Sequence, residues 1–339
     1  MELESASDGV WSWPIGVTGM RDTDWTVEIL FPSVEREVEG HDEFMREMHQ
    51  SAWRDLPRLA SEQVYTHGRA KIAIELDWSL VARRLLELSS KTKKRPLKHL
   101  SITAKVSIAG EIPSERAAWQ YPRFFVSYHL CNVFLAMNIS APGSADFGGV
   151  RVSMDAELPD VEIDLSAYDY DYAWTSSLDG QWPDIQRIPL DFCFDWLAPL
   201  ERRVVQIADS DIERLLLSLL RIAQMDSSPD SAVWICAGLE ALFPTSFGKA
   251  QAQLNSAISE LLGANNKQKE KLKDYPKAIY SLRNAFAHGN LPITHPYSNE
   301  RIEEGIEREF DRYVDAHLDG VRLLLACVQR LVMRDSRSE

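Results

Sequence analysis

The feature that most restricts how this chain can fold is a change of hydrophobic period near residue 200. From about residue 203 onward, apolar residues recur every three or four positions, the spacing that lines one face of an α-helix. Ala208, Ile212, Leu215, Leu219 and Ile222 form a first stripe, with Asp209 or Ser210 at its start. Ser228-Pro229 reads as a cap followed by proline at the first helical position, and that helix runs to about Phe243 before Pro244. Ala250, Leu254, Ala257 and Leu261 make a third stripe, closed by Gly263. Tyr275-Pro276 predicts the opening of a fourth helix, because the residue before proline avoids the α region. The fifth is long: Ile302, Ile306, Phe310, Val314, Leu318, Val321, Leu325, Val328 and Val332, alternating four and three from Val314 like a bundle seam. Five antiparallel helices joined by short connections predict an all-α bundle over residues 201–339.

Before residue 200 the period is two. Residues 25–31 (WTVEILF), 71–78 (KIAIELDW), 101–109 (SITAKVSIA), 148–155 (GGVRVSMD) and 161–165 (VEIDL) alternate with β-branched residues and read as strands. Ser79–Leu88 reads as a short amphipathic helix. Periodicity alone leaves the apolar run Arg123–Ile139 ambiguous, but its length and the following Ala-Pro-Gly favour a helix. The expected class is therefore α+β: a mixed α/β N-terminal domain over 1–200, then an all-α helical bundle over 201–339.

Composition narrows the setting. In 339 residues, 45% are hydrophobic and 26% charged, an ordinary globular balance that excludes a disordered or collagen-like chain. No run of about 18 apolar residues exists, so no membrane-spanning helix is expected. The start, MELESASDGVWSW, is acidic and lacks the basic segment of a signal peptide. Cys131, Cys193, Cys236 and Cys327 lie far apart without CxxC spacing, as expected of buried thiols in a cytoplasmic protein. The net charge of −14 argues at first against a nucleic-acid partner. Yet residues 1–200 hold 19 Lys/Arg against 31 Asp/Glu, whereas residues 201–339 hold 18 against 20. Nine of the ten tryptophans also fall before residue 200. The first region is acidic and tryptophan-rich, and its composition does not give its role.

No local pattern in that region specifies a chemistry. His41, Glu43, Glu47 and His49 fit no standard metal site and read as a solvated helix face. Asp146-Phe147-Gly148 matches a kinase tripeptide but lacks the accompanying Gly-rich loop and HRD element, so it reads as a turn. The basic run KTKKRPLKH (91–99) reads as an exposed loop that could touch phosphates. Tyr168, Tyr170 and Tyr172 alternate with Asp169 and Asp171, which predicts an edge strand or a recognition loop.

The bundle is more informative, because two residues break its apolar code. Between Asp230 and Pro244 the one charged residue is Glu240, which at 100° per residue falls within about 20° of Val233, on the face of Cys236 and Ala237. In the fourth helix Ile279, Leu282 and Phe286 define the expected core face, and Arg283 lies about 40° from Ile279. An inward carboxylate and an inward guanidinium are each costly alone, so Glu240 is the natural partner of Arg283. A buried pair without chemistry would satisfy both. The segment AIYSLRNAFAHGN (278–290) adds Asn284, His288 and Gly289; a C-terminal histidine before an αL glycine explains the last two but neither Arg283 nor Asn284.

The Arg-Asn-x3-His-Gly arrangement, preceded by Tyr280, resembles the Rx4-6H signature of HEPN ribonucleases. Leu239-Glu240-Ala241-Leu242, some 40 residues upstream, resembles the Apea-like subgroup. The likeness covers roughly 205–335. It implies metal-independent endoribonuclease chemistry, in which a ribose 2′-OH attacks the adjacent phosphate and leaves a 2′,3′-cyclic phosphate and a 5′-OH. That reaction needs a group titrating near neutral pH, which His288 supplies, and a fixed cation for the phosphorane, for which the Arg283 fork is suited. Asn284 would bond the phosphate or hold one histidine tautomer, and Glu240, with Tyr280 nearby, would orient Arg283. No metal or cofactor is implied. Positions 283 and 288 point about 140° apart on an ideal helix, so one chain aims both at one phosphate only if the helix unwinds. A two-fold homodimer through the bundle, which the resemblance also implies, would form a composite cleft.

Lys267, Lys269, Lys271, Lys273 and Lys277 lead into that helix and are candidate contacts for an RNA backbone; an exposed lysine-rich loop kept for solubility is the other reading. The resemblance further implies a cytoplasmic anti-phage defence or toxin role, with RNA (tRNA among the targets) as substrate and a phage-derived trigger or regulatory partner at the N-terminal domain. The alternatives are a catalytically silent dimer acting as a scaffold or ligand-binding module, and nucleotide-group transfer or toxin–inhibitor pairing.

Overall fold

The computed structural model describes residues 23–31, 43–89, 100–112, 115–154, 159–201, 204–224, 230–244, 250–291 and 306–336. The basic run 91–99, His41, Ser228-Pro229 and Ile302 lie outside these residues. The alternating segments are strands, as expected: β1 (Thr23–Phe31), β3 (Ala70–Leu76), β4 (Leu100–Gly110), β5 (Val150–Met154) and β6 (Val161–Ile163), joined by β2 (Glu62–His67), which the sequence reading missed. They form one antiparallel sheet in the order β2-β3-β4-β1-β5-β6. Gly68 makes the tight β2–β3 turn at φ +59°, a conformation that costs a residue with a Cβ about 1–2 kcal/mol. In the central pairing Val27 faces Ala104 and Ile29 faces Ile102, which puts every second side chain of both strands into the core.

Against the sheet lies α3 (Glu115–Ser140), the element whose periodicity was ambiguous. It contacts β1, β3, β4, β5 and β6, and also the helices α5 (Leu190–Glu201), α6 (Asp211–Ala223) and α10 (Ile306–Asp335). Phe125, Val126, Leu130, Val133, Phe134, Leu135, Ala136, Met137 and Ile139 are all buried. A helix enclosed by layers needs apolar residues on every face, which erases the 3.6-residue stripe. Helices α1 (Glu43–Ala60) and α2 (Trp78–Ser89) pack together beside the sheet.

Two expectations need correction. Residues 168–172 are neither a strand nor a loop but the start of α4 (Tyr168–Leu178). Asp169, Tyr170, Ala173, Trp174, Ser176 and Ser177 are its buried face, spaced as on a helix, and Asp169 and Asp171 in the first turn suit the positive end of its dipole. The Tyr-Asp alternation is too short to decide between periods. The second correction concerns the fourth bundle helix. It begins at Asn266, not at Pro276, and Pro276 is buried inside α9 (Asn266–Ala287). Asn265 caps it with Gln268 in a reciprocal capping box, and buried Leu272 anchors the turns before the proline; together these outweigh the local preference of Tyr275.

The remaining bundle helices follow the stripes: α6, capped by Ser210 and Glu213, then α7 (Ser231–Leu242), α8 (Ala250–Leu261) and α10. The cores of the two regions are continuous. The Tyr170 hydroxyl donates to the Leu219 carbonyl of α6 at 2.9 Å, and α10 packs on α3, α4 and α5 as well as on α7, α8 and α9.

Candidate active site

The site is built where α7 and α9 lie side by side against α10. Ile235, Cys236 and Leu239 bury one side of α7, and Ile279 and Leu282 bury one side of α9. At Gly320 of α10 an added Cβ would come within 2.9 Å of both Ile235 and Ile279. The absence of a side chain there lets α10 approach both helices closely, which sets them at a fixed separation.

Across that α7–α9 seam Glu240 and Arg283 meet, as the sequence suggested, and Tyr280 joins them. The Tyr280 hydroxyl donates to Glu240 Oε1 at 2.6 Å, and Arg283 Nη2 lies 3.6 Å from the same oxygen. Arg283 Nη1 donates to Asn284 Oδ1 at 3.0 Å, and the guanidinium sits 5.5 Å from the centre of the Tyr280 ring. The Cys236 thiol is against Arg283 on the core side. Glu240 and Arg283 side chains are each 35% exposed, so the pair lies at the edge of the core rather than within it, unlike the fully inward pair the helical wheel suggested.

Electrostatics follow from that half-buried position. Burial raises the Tyr280 phenol well above its ordinary range, and the hydrogen bond to Glu240 and its charge raise it further. Burial also pushes the Cys236 thiol up to about 12, although Arg283 acts in the other direction. Both groups therefore stay protonated at neutral pH, the phenol as donor to the carboxylate that holds Arg283.

His288 stands at the end of the same helix. It is the C-cap of α9, and the end is a Schellman turn: Gly289 N–H donates to Phe286 O at 3.1 Å and Asn290 N–H to Ala285 O at 2.8 Å. Gly289 adopts φ +67°, the reason a glycine stands there. The imidazole is exposed, and the helix stays wound through Ala287, with His288 N–H donating to Asn284 O at 3.0 Å. Phe286, expected in the core, is 39% exposed. It lies only two residues before the C-cap, where the helix end overhangs the seam.

The five candidate lysines are not in a loop. Lys267, Lys269, Lys271, Lys273 and Lys277 are all exposed within the first four turns of α9 itself. They do not share one face. At 100° per residue Lys273 and Lys277 fall within about 20° of Asn284, whereas Lys267 and Lys271 lie roughly 100° or more around the helix from it. Lys273 is also tied to Glu270 at 2.7 Å.

Other candidates resolve differently. His49 is half-buried rather than solvated: its Nε2 bonds the Pro142 carbonyl at 2.8 Å and its ring packs on Trp174. Among the described residues, no group of three or more His, Cys, Asp or Glu side chains is placed to hold a metal ion, and no helix is long and apolar enough to cross a membrane.

One cluster escaped the sequence reading. His317 of α10 bonds Asp169 Oδ2 of α4 through Nε2 at 2.7 Å and shares a hydrogen bond with the Ser231 hydroxyl of α7 through Nδ1. Five residues on, Arg322 bonds Ser176, Gln181 and Asp319 and lies over the Tyr275 ring. The signal was present. His317 lies between Val314 and Val321, and Arg322 between Leu318 and Leu325, each about 40° from a member of the long stripe. Ser231, His317 and Asp169 have the connectivity of a hydrolase triad, yet they are 0%, 1% and 6% exposed. A nucleophile must touch its substrate, so this chain of bonds is architectural.

Comparison of the chain with protein-family models, curated proteins and solved structures returned no match.

Proposed function

We propose that this chain is a metal-independent endoribonuclease of HEPN type, with Arg283, Asn284 and His288 as its catalytic residues and Glu240 and Tyr280 as their supports. The observation that carries the reading is the convergence of Glu240, Tyr280 and Arg283 from helices 40 residues apart, with Arg283 five residues before an exposed histidine. Glu240 and Asn284 pre-set the guanidinium fork, and a phosphate entering the half-open edge replaces Asn284 as its partner. His288 moves the proton of the 2′-OH or of the leaving oxygen. Because α9 does not unwind before His288, two copies of the motif across a two-fold axis bring an arginine and a histidine to one phosphate. Lys277, on the Asn284 side, extends the path for the backbone. The resemblance adds the biological setting: a cytoplasmic anti-phage effector acting on RNA, tRNA included, and restrained by the acidic region.

A silent scaffold is the second reading. Phe286 and Val233 are exposed apolar residues on the two site helices, as a partner-binding surface would require. RNA cleavage in EDTA separates the two. The wild type is expected to give 2′,3′-cyclic phosphate ends, with His288→Ala and Arg283→Ala each losing about 10²-fold or more while remaining folded. Cleavage that survives both substitutions, or that EDTA abolishes, sinks the mechanism.

A further inference from the structure

Helix α4 belongs to the acidic region by sequence, yet two buried polar links join it through α10 to both helices of the site. Asp169, in the first turn of α4, receives the Nε2–H of His317 at 2.7 Å, and the other side of that imidazole bonds Ser231 in the first turn of α7. Near the other end of α4, Ser176 Oγ lies 3.1 Å from Arg322 Nη1, and Gln181, just beyond the helix, accepts from the same nitrogen. The guanidinium, paired with Asp319, lies 5.4 Å from the ring centre of Tyr275 on α9. The Tyr275 hydroxyl then returns to the Trp182 carbonyl, four residues after α4, at 2.9 Å. One link ends on the helix of Glu240 and the other on the helix of Tyr280 and Arg283.

Buried polar links restrict motion more sharply than apolar packing. An apolar surface slides by small amounts at little cost, whereas a buried donor that loses its acceptor is left unsatisfied where water cannot reach it. His317 and Arg322 are 1% and 2% exposed, so water does not replace a lost partner. Their bonds hold α7 and α9 in one relation to α4 and hence to each other. The site depends on that relation, because the Glu240–Tyr280 and Glu240–Arg283 contacts both cross the α7–α9 seam.

We infer that His317 and Arg322 are positioning residues for the Glu240–Tyr280–Arg283 cluster, and that α4 is the part of the acidic region through which the site's geometry is set. As a statement about catalysis this rests on the nuclease reading; as a statement about the cluster's geometry it does not. A shift of α4 displaces His317 and Arg322, opens the α7–α9 seam and releases Arg283 from Glu240.

Cys236 supplies the readout, since it lies in the seam against Arg283 at 1% exposure, while Cys193 and Cys327 are equally buried elsewhere. Alkylation of the full chain with iodoacetamide, followed thiol by thiol by peptide mass spectrometry, is compared among wild type, Asp169→Asn and Ser231→Ala. The expected result is at least tenfold faster labelling of Cys236 in both variants, with Cys193 and Cys327 unchanged. Labelling of all three thiols rising together shows only a loosened fold and overturns the inference, as does an unchanged Cys236. If Asp169→Asn does not fold, Ser231→Ala carries the test alone, because it removes one hydroxyl. Absence of RNA cleavage by the wild type even with phage factors present overturns the nuclease reading and leaves the labelling result standing.

Discussion

The open cluster at Glu240 and the closed one at His317 use the same materials in different surroundings. Each joins an acid and a base from helices far apart in sequence, and each includes a hydroxyl. Glu240 and Arg283 are one-third exposed, so water competes for both and the pair contributes little to stability. His317 and Arg322 are enclosed; both imidazole nitrogens and both terminal guanidinium nitrogens find partners, while Arg322 Nε has none among the described residues. Polar groups at a half-wet edge are available to an incoming phosphate, whereas polar groups in the dry interior can only hold helices in place. Burial, more than residue type, separates a candidate catalytic group from an architectural one.

The sharpest way to break this comparison is to delete the carboxylate from each cluster. Asp319→Ala leaves the buried Arg322 guanidinium with neutral partners and is expected to cost about 3 kcal/mol in denaturant unfolding, the lower end for a broken buried pair because Asp319 itself is 30% exposed. Glu240→Ala leaves Arg283 able to reach water and is expected to cost no more than about 1 kcal/mol, while lowering the Tyr280 phenol toward its ordinary range. Equal losses in the two variants would remove the distinction.

Acid extends the same contrast to the sheet side of the core. His129 of α3 is buried with its Nδ1 on the Tyr65 hydroxyl, and burial depresses its imidazole from 6.5 to about 4. The folded state binds that proton less readily than the unfolded chain. The stabilisation is therefore present above pH 6.5 and lost as pH falls through that range toward 4. The full loss is of order 3 kcal/mol. His129→Gln is expected to flatten this part of the stability–pH curve; an unchanged slope would assign the acid sensitivity elsewhere.

The smallest expected effect is at the helix end that presents His288. Gly289→Ala, at φ +67° with open space around its Cα, is expected to cost about 1 kcal/mol through backbone strain alone. If the nuclease reading holds, cleavage should fall further than that loss of stability explains, because the Schellman turn orients His288.

Much of this arrangement was legible along the chain. Four of the five bundle helices start or end within a few residues of the caps and stripes that announced them, and the five alternating segments pair in one sheet. Glu240 and Arg283 stood out because each was a charge at a core-facing position, and they do meet. Other features were legible but outweighed. Tyr275-Pro276 signals a helix boundary, yet the Asn265–Gln268 cap and Leu272 lie outside the window over which a proline acts. Tyr168–Tyr172 alternate like a strand, yet Ala173, Trp174 and Ser177 complete a helical face.

Sequence by itself determined the period of five strands and of most bundle helices, the start of α6, the glycine at the αL position after His288, and that Glu240 and Arg283 had to find partners in the bundle. These are local or one-dimensional properties, decided by backbone geometry and the spacing of apolar side chains. Tertiary structure alone decided that α3 lies between the sheet and the helices, that Phe286 overhangs the seam, and that His317 takes its partners from α4 and α7. Those outcomes depend on contacts between residues up to 190 positions apart, and no local pattern encodes which of many apolar faces will meet. The chemistry a buried or half-buried group can perform is set at that last stage, because only packing decides how much water each group keeps.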